Sequence, residues 1–354
     1  MKYLSSSIAL LALPFVHSLS PSCVDDKGND VDWFVAMKLP AGGEYYYFGV
    51  DDKSFTKSKE DISSGGDCID QTLDSLYSYK AGSSGNAHGM WNDQPTKDHA
   101  AGSIYAHSKG VFHFDDEQGF YLIHSMPAFP TTKVEGYDML PDTTYGQSFM
   151  CLTMKTEEFD KLGEDLQTMH VYPYDSSISS DLKEKVPNMV DAMDKVENKD
   201  IQSRETDFKT VGGQKFRHFA KGRYWGEALY EDLVSSTLDS DLACNTWQNG
   251  AYDNQVPTYC PPDHNHTVSN IVSVKFGDDS WKSTQDHSKW AITTEEFDND
   301  ASSSPYACVG GINRQFSQEK RGGATMCIGN GDLNGALYDA IDEYEDCSDE
   351  KKQV

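Results

Sequence analysis

The sequence predicts an α/β protein, long enough for two domains or one large one and stapled by disulfides. Three observations carry this. Apolar segments of strand length recur through both halves, with helical patterns between them. The tripeptide His-Ser-Lys occurs twice, at His107-Ser108-Lys109 and His287-Ser288-Lys289, 180 positions apart. Eight cysteines with no Cys-x-x-Cys spacing read as a disulfide framework and argue against zinc.

Residues 1–18 read as a secretory leader. Lys2 supplies the charged start, Ile8 to Leu13 the apolar centre, and Val16-His17-Ser18 small residues before a cut at Ser18/Leu19. The apolar run is too short to cross a bilayer. No second long one follows, so the mature chain is expected to be lumenal or extracellular, with no stable membrane association. Asn265-His266-Thr267 is a glycosylation sequon that fits the same compartment. The expected divisions are an N-terminal half at 19–200, a C-terminal half at 201–347 and a charged tail at 348–354.

In chain order, Val31 to Pro40 and Glu44 to Val50 predict two strands. Residues 51–68 are polar and predict a surface loop, and Thr72 to Tyr77 a short helix. Trp91-Asn92-Asp93-Gln94-Pro95 follows a glycine-rich loop. The first His-Ser-Lys leads into Gly110 to Phe114, a turn at Asp115 to Gly119, and a returning strand at Phe120 to Ser125. That hairpin brings His107 and His124 to the same end of a sheet. His113, in mid-strand, reads as structural. Gly146 to Met154 predicts another strand. Residues 180–199 carry a helical pattern interrupted by Pro187.

The second half opens on Lys215 to Lys221, locally basic, which suits either phosphate contact or a solvated face. Glu231 to Leu242 reads as helix or loop, Ile271 to Phe276 as a strand. Glycines in Cys308 to Arg314 and Arg321 to Cys327 permit close backbone approach. A last helix is expected over Leu333 to Glu345.

An extended His-x-Lys segment points both side chains to one face, because strand side chains alternate. An imidazole beside an ammonium suits attack on a phosphodiester. The imidazole serves as nucleophile or acid/base, and the ammonium holds a non-bridging oxygen. The net charge of −27 argues against a polyanionic partner at neutral pH. At the sequence pI of about 4.6 that repulsion largely vanishes. On charge alone, the reading as a solubility device is the stronger one.

Taken together, these segments resemble the deoxyribonuclease II family over most of the chain. The matching motifs are Val31-Asp32-Trp33-Phe34-Val35, Lys38-Leu39-Pro40, Asn92-Asp93-Gln94-Pro95, His107-Ser108-Lys109-Gly110-Val111 and His124-Ser125-Met126-Pro127-Ala128-Phe129-Pro130. Thr144-Tyr145-Gly146-Gln147, Asp286-His287-Ser288-Lys289-Trp290, Asn313-Arg314 and Arg321-Gly322-Gly323 complete them. The resemblance implies an acid endonuclease that needs no metal or other cofactor and leaves 3′-phosphate and 5′-hydroxyl ends through a phosphohistidine. It implies a phospholipase D-like fold of two α/β/α halves, each with a mixed sheet, whose His-x-Lys motifs meet in one site. His107, Lys109, His287 and Lys289 would then be catalytic, with His287 the surest essential residue, and His124, Asn313 and Arg314 would support substrate.

The wider phospholipase D pattern wants Asp at position 114, where this chain has Phe114; Asp115 is one residue late. The resemblance also implies bridges Cys23–Cys151, Cys260–Cys347 and Cys308–Cys327, which leaves Cys68 and Cys244 expected to pair. Two rival readings are a DNA-binding or toxin-like relative with little activity and a lipid phosphodiesterase. Mean hydropathy of −0.62 does not favour the second. DNA is the expected partner, lysosome or secretion the expected destination, and monomer and homodimer are both compatible with two half-sites in one chain.

Overall fold

Strand β1 (Trp33–Lys38) is covered on both faces. Trp33, Val35 and Met37 join one apolar cluster and Phe34 and Ala36 another, the alternation its sequence requires. The computed structural model describes residues 20–96, 98–138, 144–249, 251–294, 305–347 and 351–353. The expected leader and most of the expected tail lie outside them. Seven further strands complete an eight-stranded sheet: β2 (Tyr45–Gly49), β3 (Thr56–Lys57), β4 (Ala87–Asn92), β5 (Lys109–Phe114), β6 (Gln118–His124), β7 (Gln147–Lys155) and β8 (Pro173–Ile178).

Their order is β8-β4-β5-β6-β7-β1-β2-β3, antiparallel at every step. The mixed sheet expected for this half is absent, because its strands meet without a parallel crossover. The β5–β6 hairpin turns at Asp115, whose carboxylate accepts from the amides of Glu117 and Gln118. Asp115 therefore belongs to a turn at the far end of β5 from Lys109.

Residues 203–353 supply a ten-stranded sheet: β9 (Ser203–Lys209), β10 (Lys215–Lys221), β11 (Leu242–Asn245), β12 (Val268–Phe276), β13 (Asp279–Lys282), β14 (Trp290–Thr293), β15 (Tyr306–Gly310), β16 (Gly323–Gly329), β17 (Ile341–Glu345) and β18 (Lys351–Gln353). The order is β9-β10-β16-β15-β14-β11-β12-β17-β18, with β13 paired to β12. The β11–β12 step is parallel, so this sheet is mixed.

Helix α1 (Cys68–Ser78) is capped by Asp67, which accepts from the amides of Ile69 and Asp70. It buries Ile69, Leu73 and Leu76 in the cluster that holds Phe34, Val111 and Leu122. Helix α2 (Thr156–Met169) buries Phe159, Leu162 and Leu166 and packs on the helix that starts at Pro187. The pattern over 180–199 divides into α3 (Ser180–Lys183) and α4 (Pro187–Met193), split where Pro187 starts a new helix. The reading of Glu231 to Leu242 resolves into a π-helical turn at Leu229–Ser235 and one short turn beyond it. Helix α5 (Phe316–Glu319) lies between β15 and β16. The last helix, α6 (Gly331–Tyr338), is shorter than expected. Ile341 to Glu345 instead form β17, because Ile341 and Tyr344 pair with β12.

One apolar cluster draws on both sheets, joining Trp33, Phe112 and Met150 to Phe216, Trp290 and Met326. Each such buried side chain contributes on the order of 1.5–3 kcal/mol. Disulfides join Cys23 to Cys151, Cys260 to Cys347 and Cys308 to Cys327. The fourth expected bridge is absent. Cys68 and Cys244 are buried free thiols in separate clusters, one under α1 and one around Tyr230 and Val234. Asn265 is exposed, as a glycosylation acceptor must be. Among the described residues no helix is long and apolar enough to cross a membrane.

Two straps tie each His-Ser-Lys to distant chain. The amide of His107 donates to Gly322 O at 2.8 Å, and that of His287 to Gly146 O at 2.8 Å. A Cβ on Gly322 would stand 2.0 Å from Met169 O, and one on Gly146 2.6 Å from Asp286 Oδ1. Gly322→Ala is therefore expected to lower stability by about 1–3 kcal/mol, the usual cost of overpacking. Thermal melts check it; an unchanged melt would show that the strap does not hold the seam.

Candidate active site

Each motif enters its strand extended. Its serine turns away from the cleft while its histidine and lysine turn toward it. Ser108 Oγ accepts from Trp91 Nε1 at 3.2 Å, and Ser288 Oγ from Asn245 Nδ2 at 2.9 Å. The second motif is set further by Asp286. Its carboxylate takes the Ser288 amide at 2.9 Å, Asn245 Nδ2 at 2.9 Å and Trp281 Nε1 at 3.0 Å. His107, Lys109, His287 and Lys289 line one cleft of about 200 Å³. Asp93, Trp247, Asn313, Gln315 and Gln318 line it with them.

The two half-sites correspond by register. Lys109 pairs with Asn92, so Ser108 falls opposite Asp93. Trp290 pairs with Asn245, so Ser288 falls opposite Trp247. The position that holds a carboxylate beside His107 thus holds an indole beside His287. Asp93 ion-pairs with Lys109, takes Arg321 Nη2 at 2.9 Å and stands 3.9 Å from His107 Nε2. His287 stacks on Tyr145 at 4.6 Å and meets Trp247 edge-on at 3.8 Å.

A sequence profile of the Deoxyribonuclease II family matches residues 22–347. The chain belongs to the deoxyribonuclease II family. It is 36% identical over 346 residues to Plancitoxin-1 of Acanthaster planci, covering 92% of each chain. It is 30% identical over 363 residues to Deoxyribonuclease-2-beta of Homo sapiens, covering 98% of each. Against Deoxyribonuclease-2-alpha of Bos taurus it is 32% identical over 337 residues, covering 91% of this chain and 89% of the relative.

In this deoxyribonuclease II relative the cleft is positive although the chain is strongly acidic. Lys109 and Lys289 line it, with Arg321 behind Asp93; the carboxylates acting on them are Asp93, bonded to Lys109 and Arg321, and Asp286, which acts on Lys289. Burial lowers His107 well below an ordinary imidazole, Lys109, Arg321 and Lys289 deepen the shift, and Asp93 opposes it. Burial, Lys289 and Lys109 likewise depress His287. Burial and the neighbouring Lys109 bring Lys289 down to about 7. Burial alone would push the Asp93 carboxyl up; Lys109, His107 and Arg321 overcome it and hold the group well below the usual carboxylate range. His107 Nδ1, His287 Nε2, Asn313 Oδ1 and Gln318 Oε1 are buried without a hydrogen-bond partner among the described residues.

Two expected substrate contacts require correction. His124 lies opposite Phe149 and is fully buried between the rings of Phe129 and Phe149. Burial lowers it to about 3, and it supports the sheet beneath Lys109 without entering the cleft. Arg314 is also fully buried. Its guanidinium bonds Glu231 at 2.6 Å, Pro257 O at 3.0 Å and Asn270, so it anchors the loop that carries Asn313. Asn313 does reach the cleft. The basic stretch Lys215 to Lys221 is strand β10: Arg217 pairs with Asp207, and Lys221 is buried against the carbonyls of Gln318 and Glu319. His113 is structural, bonded to Ser75 and Asn86.

Asp93, Arg321, Trp247, Gln315 and Gln318 went unassigned by sequence reasoning. For Asp93 and Arg321 a signal existed, since both stand in motifs singled out above. For Trp247 the signal is positional and needs the strand register.

A folded carboxylate held low contributes stability above its unfolded pKa and loses it only as pH falls through the folded value. At pH 5 the Asp93 contribution is therefore intact. Asp93→Asn is expected to cost about 3 kcal/mol at pH 5, because it leaves Lys109 and Arg321 without their counter-charge. Denaturant titration checks it. Lys289 works with the opposite sign. Its folded value near 7 lies below the lysine reference of about 10.4, so folding opposes its charge. That cost grows as pH falls from about 10 to 7 and is full below 7. Lys289→Met should raise the melting temperature more at pH 5 than at pH 9. A gain independent of pH would refute this.

Proposed function

We propose that this chain is an acid endonuclease that hydrolyses DNA phosphodiesters through a covalent histidine intermediate. The observation that carries the reading is the convergence of both His-x-Lys pairs on one cleft. A buried imidazole on each side suits two proton-coupled steps, and ammonium groups between them suit the oxygens of a pentacoordinate phosphorus. Family membership supports DNA as substrate, and the two-half division with a shared site supports the phospholipase D-like scheme.

In the first step one histidine nitrogen bonds to phosphorus and the P–O5′ bond breaks. The other histidine, as imidazolium, gives its proton to O5′. In the second step that now neutral imidazole takes a proton from water, whose oxygen bonds to phosphorus as the P–N bond breaks. The products are a 3′-phosphate and a 5′-hydroxyl, and both histidines return to their starting states. Lys109 and Lys289 balance charge on the equatorial oxygens, and Asp93 and Arg321 position Lys109 and His107.

Burial and the neighbouring lysines depress both imidazoles, so proton uptake is proposed to accompany substrate binding. The phosphodiester brings a negative charge that favours an imidazolium, and falling pH supplies the proton. Below pH 7 Lys289 is also charged. Both effects place activity on the acid side, which suits the secretory pathway and the lysosome. Among the described residues no group of three or more His, Cys, Asp or Glu has metal-binding geometry. The ammonium groups are proposed to do the charge-balancing themselves. Of the two rival readings, the toxin-like one draws support from the 36% identity to Plancitoxin-1, while the presence of all four motif side chains in the cleft favours activity; a lining whose apolar members are Pro127 and Trp247 does not favour a lipid tail.

Supercoiled plasmid at pH 5 with excess chelator tests the reading. Wild type should nick it and His287→Ala should be slower by at least about a thousandfold, the scale for loss of a covalent nucleophile or its acid/base partner. Equal nicking by both proteins would overturn the assignment of the site. Nicking only after chelator is removed would overturn the metal-free mechanism.

A further inference from the structure

Helix α2 ends on His170, which stands in the left-handed region at φ 59°. That residue grips the chain leading into the first motif at two points. Its carbonyl accepts from the amide of Ala106, the residue before His107, at 2.9 Å. Its ring Nδ1 stands 3.1 Å from Ile104 O. Tyr105, between those two contacts, lies against the ring at 4.5 Å and gives its carbonyl to Arg321 Nε at 2.9 Å. His170 lines no part of the cleft, yet the backbone that delivers His107 rests on it.

The shell around the ring is made of acceptors. Besides Ile104 O it holds Glu197, whose Oε1 is 3.6 Å from Nδ1, and the backbone of Lys195, which also favours the charged ring. A neutral imidazole brings one N–H and one lone pair, and among the described residues no donor meets that lone pair. An imidazolium brings two N–H groups. Behind Glu197 stand Arg223 Nε at 2.8 Å and Lys199 Nζ at 3.7 Å, and the Lys195 ammonium is turned onto Tyr172 at 4.0 Å. Burial lowers the imidazole below its ordinary range and Arg223 adds to this, while Glu197 and the two backbone contacts oppose them. The ring therefore charges on the acid side. Glu197 is still a carboxylate there: burial would raise its carboxyl, but Arg223 and His170 hold it below the usual range.

We infer that His170 is an acid-responsive positioning residue: as its ring gains a proton it holds Ile104, and with it the approach to His107, more firmly, so part of the acid dependence of cleavage is set outside the cleft. The inference rests on the nuclease reading and names a regulation of that same site.

The test follows the rate of plasmid nicking across the acid range in wild type and two variants. His170→Asn suits the left-handed backbone and keeps a neutral N–H toward Ile104, but cannot charge. At pH 5 it should be slower than wild type by about tenfold, the worth of one hydrogen bond to a charged group. At pH 7.5, where the wild-type ring is neutral, the two should agree within about twofold. Arg223→Gln removes a cation that opposes charging of the ring, so its acid limb should move to higher pH. A ratio of wild type to His170→Asn that is the same at both pH values overturns the inference, since a merely structural role gives that result. An acid limb that Arg223→Gln leaves in place overturns it as well, and that arm stands even where His170→Asn fails to fold. No nicking by well-folded wild type at any pH overturns the nuclease reading, and this inference with it.

Discussion

The whole arrangement depends on an exchange of backbone hydrogen bonds across the seam between the sheets. His107 is held by the carbonyl of Gly322, and His287 by the carbonyl of Gly146. Each motif is thus oriented by chain remote from it, and both imidazoles come to line one cleft. The shared apolar cluster of Trp33, Phe112, Phe216 and Trp290 keeps the seam closed and dry. Dryness in turn sets the chemistry: burial is the largest cause of the depressed histidines and of the lowered Lys289.

A chain of net charge −27 thereby keeps a cationic pocket. Lys109, Lys289 and Arg321 against Asp93 and Asp286 leave an excess of one positive charge that a phosphodiester can balance. Neutralising its own acidic surface is left to the medium. The arrangement separates two effects of acid: it relieves long-range repulsion of DNA and charges the groups that hold it.

Much of this was legible in the sequence, and for identifiable reasons. Strands such as Trp33–Lys38 and Gln147–Lys155 announce themselves by long apolar runs, and the β5–β6 hairpin by its acidic turn. The four motif residues were legible because the pattern occurs twice. What failed was tertiary. Arg314 reads as a free cation until Glu231 and Asn270 are found beside it. His124 reads as a site residue because the hairpin brings it opposite Lys109; the side chain's face depends on which cluster covers it. Cys68 and Cys244 invite pairing only because they are left over, and separate apolar clusters keep them apart. Leu333 to Glu345 carries a helical pattern, yet pairing with β12 claims its second half as strand. Trp247 has no local signal at all, since its meaning comes from standing where the other half has Asp93.

The bridge Cys308–Cys327 links residues directly opposite each other on β15 and β16. Between those strands runs the segment that brings Asn313, Gln315 and Gln318 to the cleft and Arg321 to Asp93. The staple sits at the root of that loop, so the sheet below is insulated from changes in the loop above. Gly322 and Arg314 within it are fixed by the strap to His107 and by Glu231, so variation at this rim falls to side chains such as Gln315 and Gln318, above a sheet whose pairing the bridge holds.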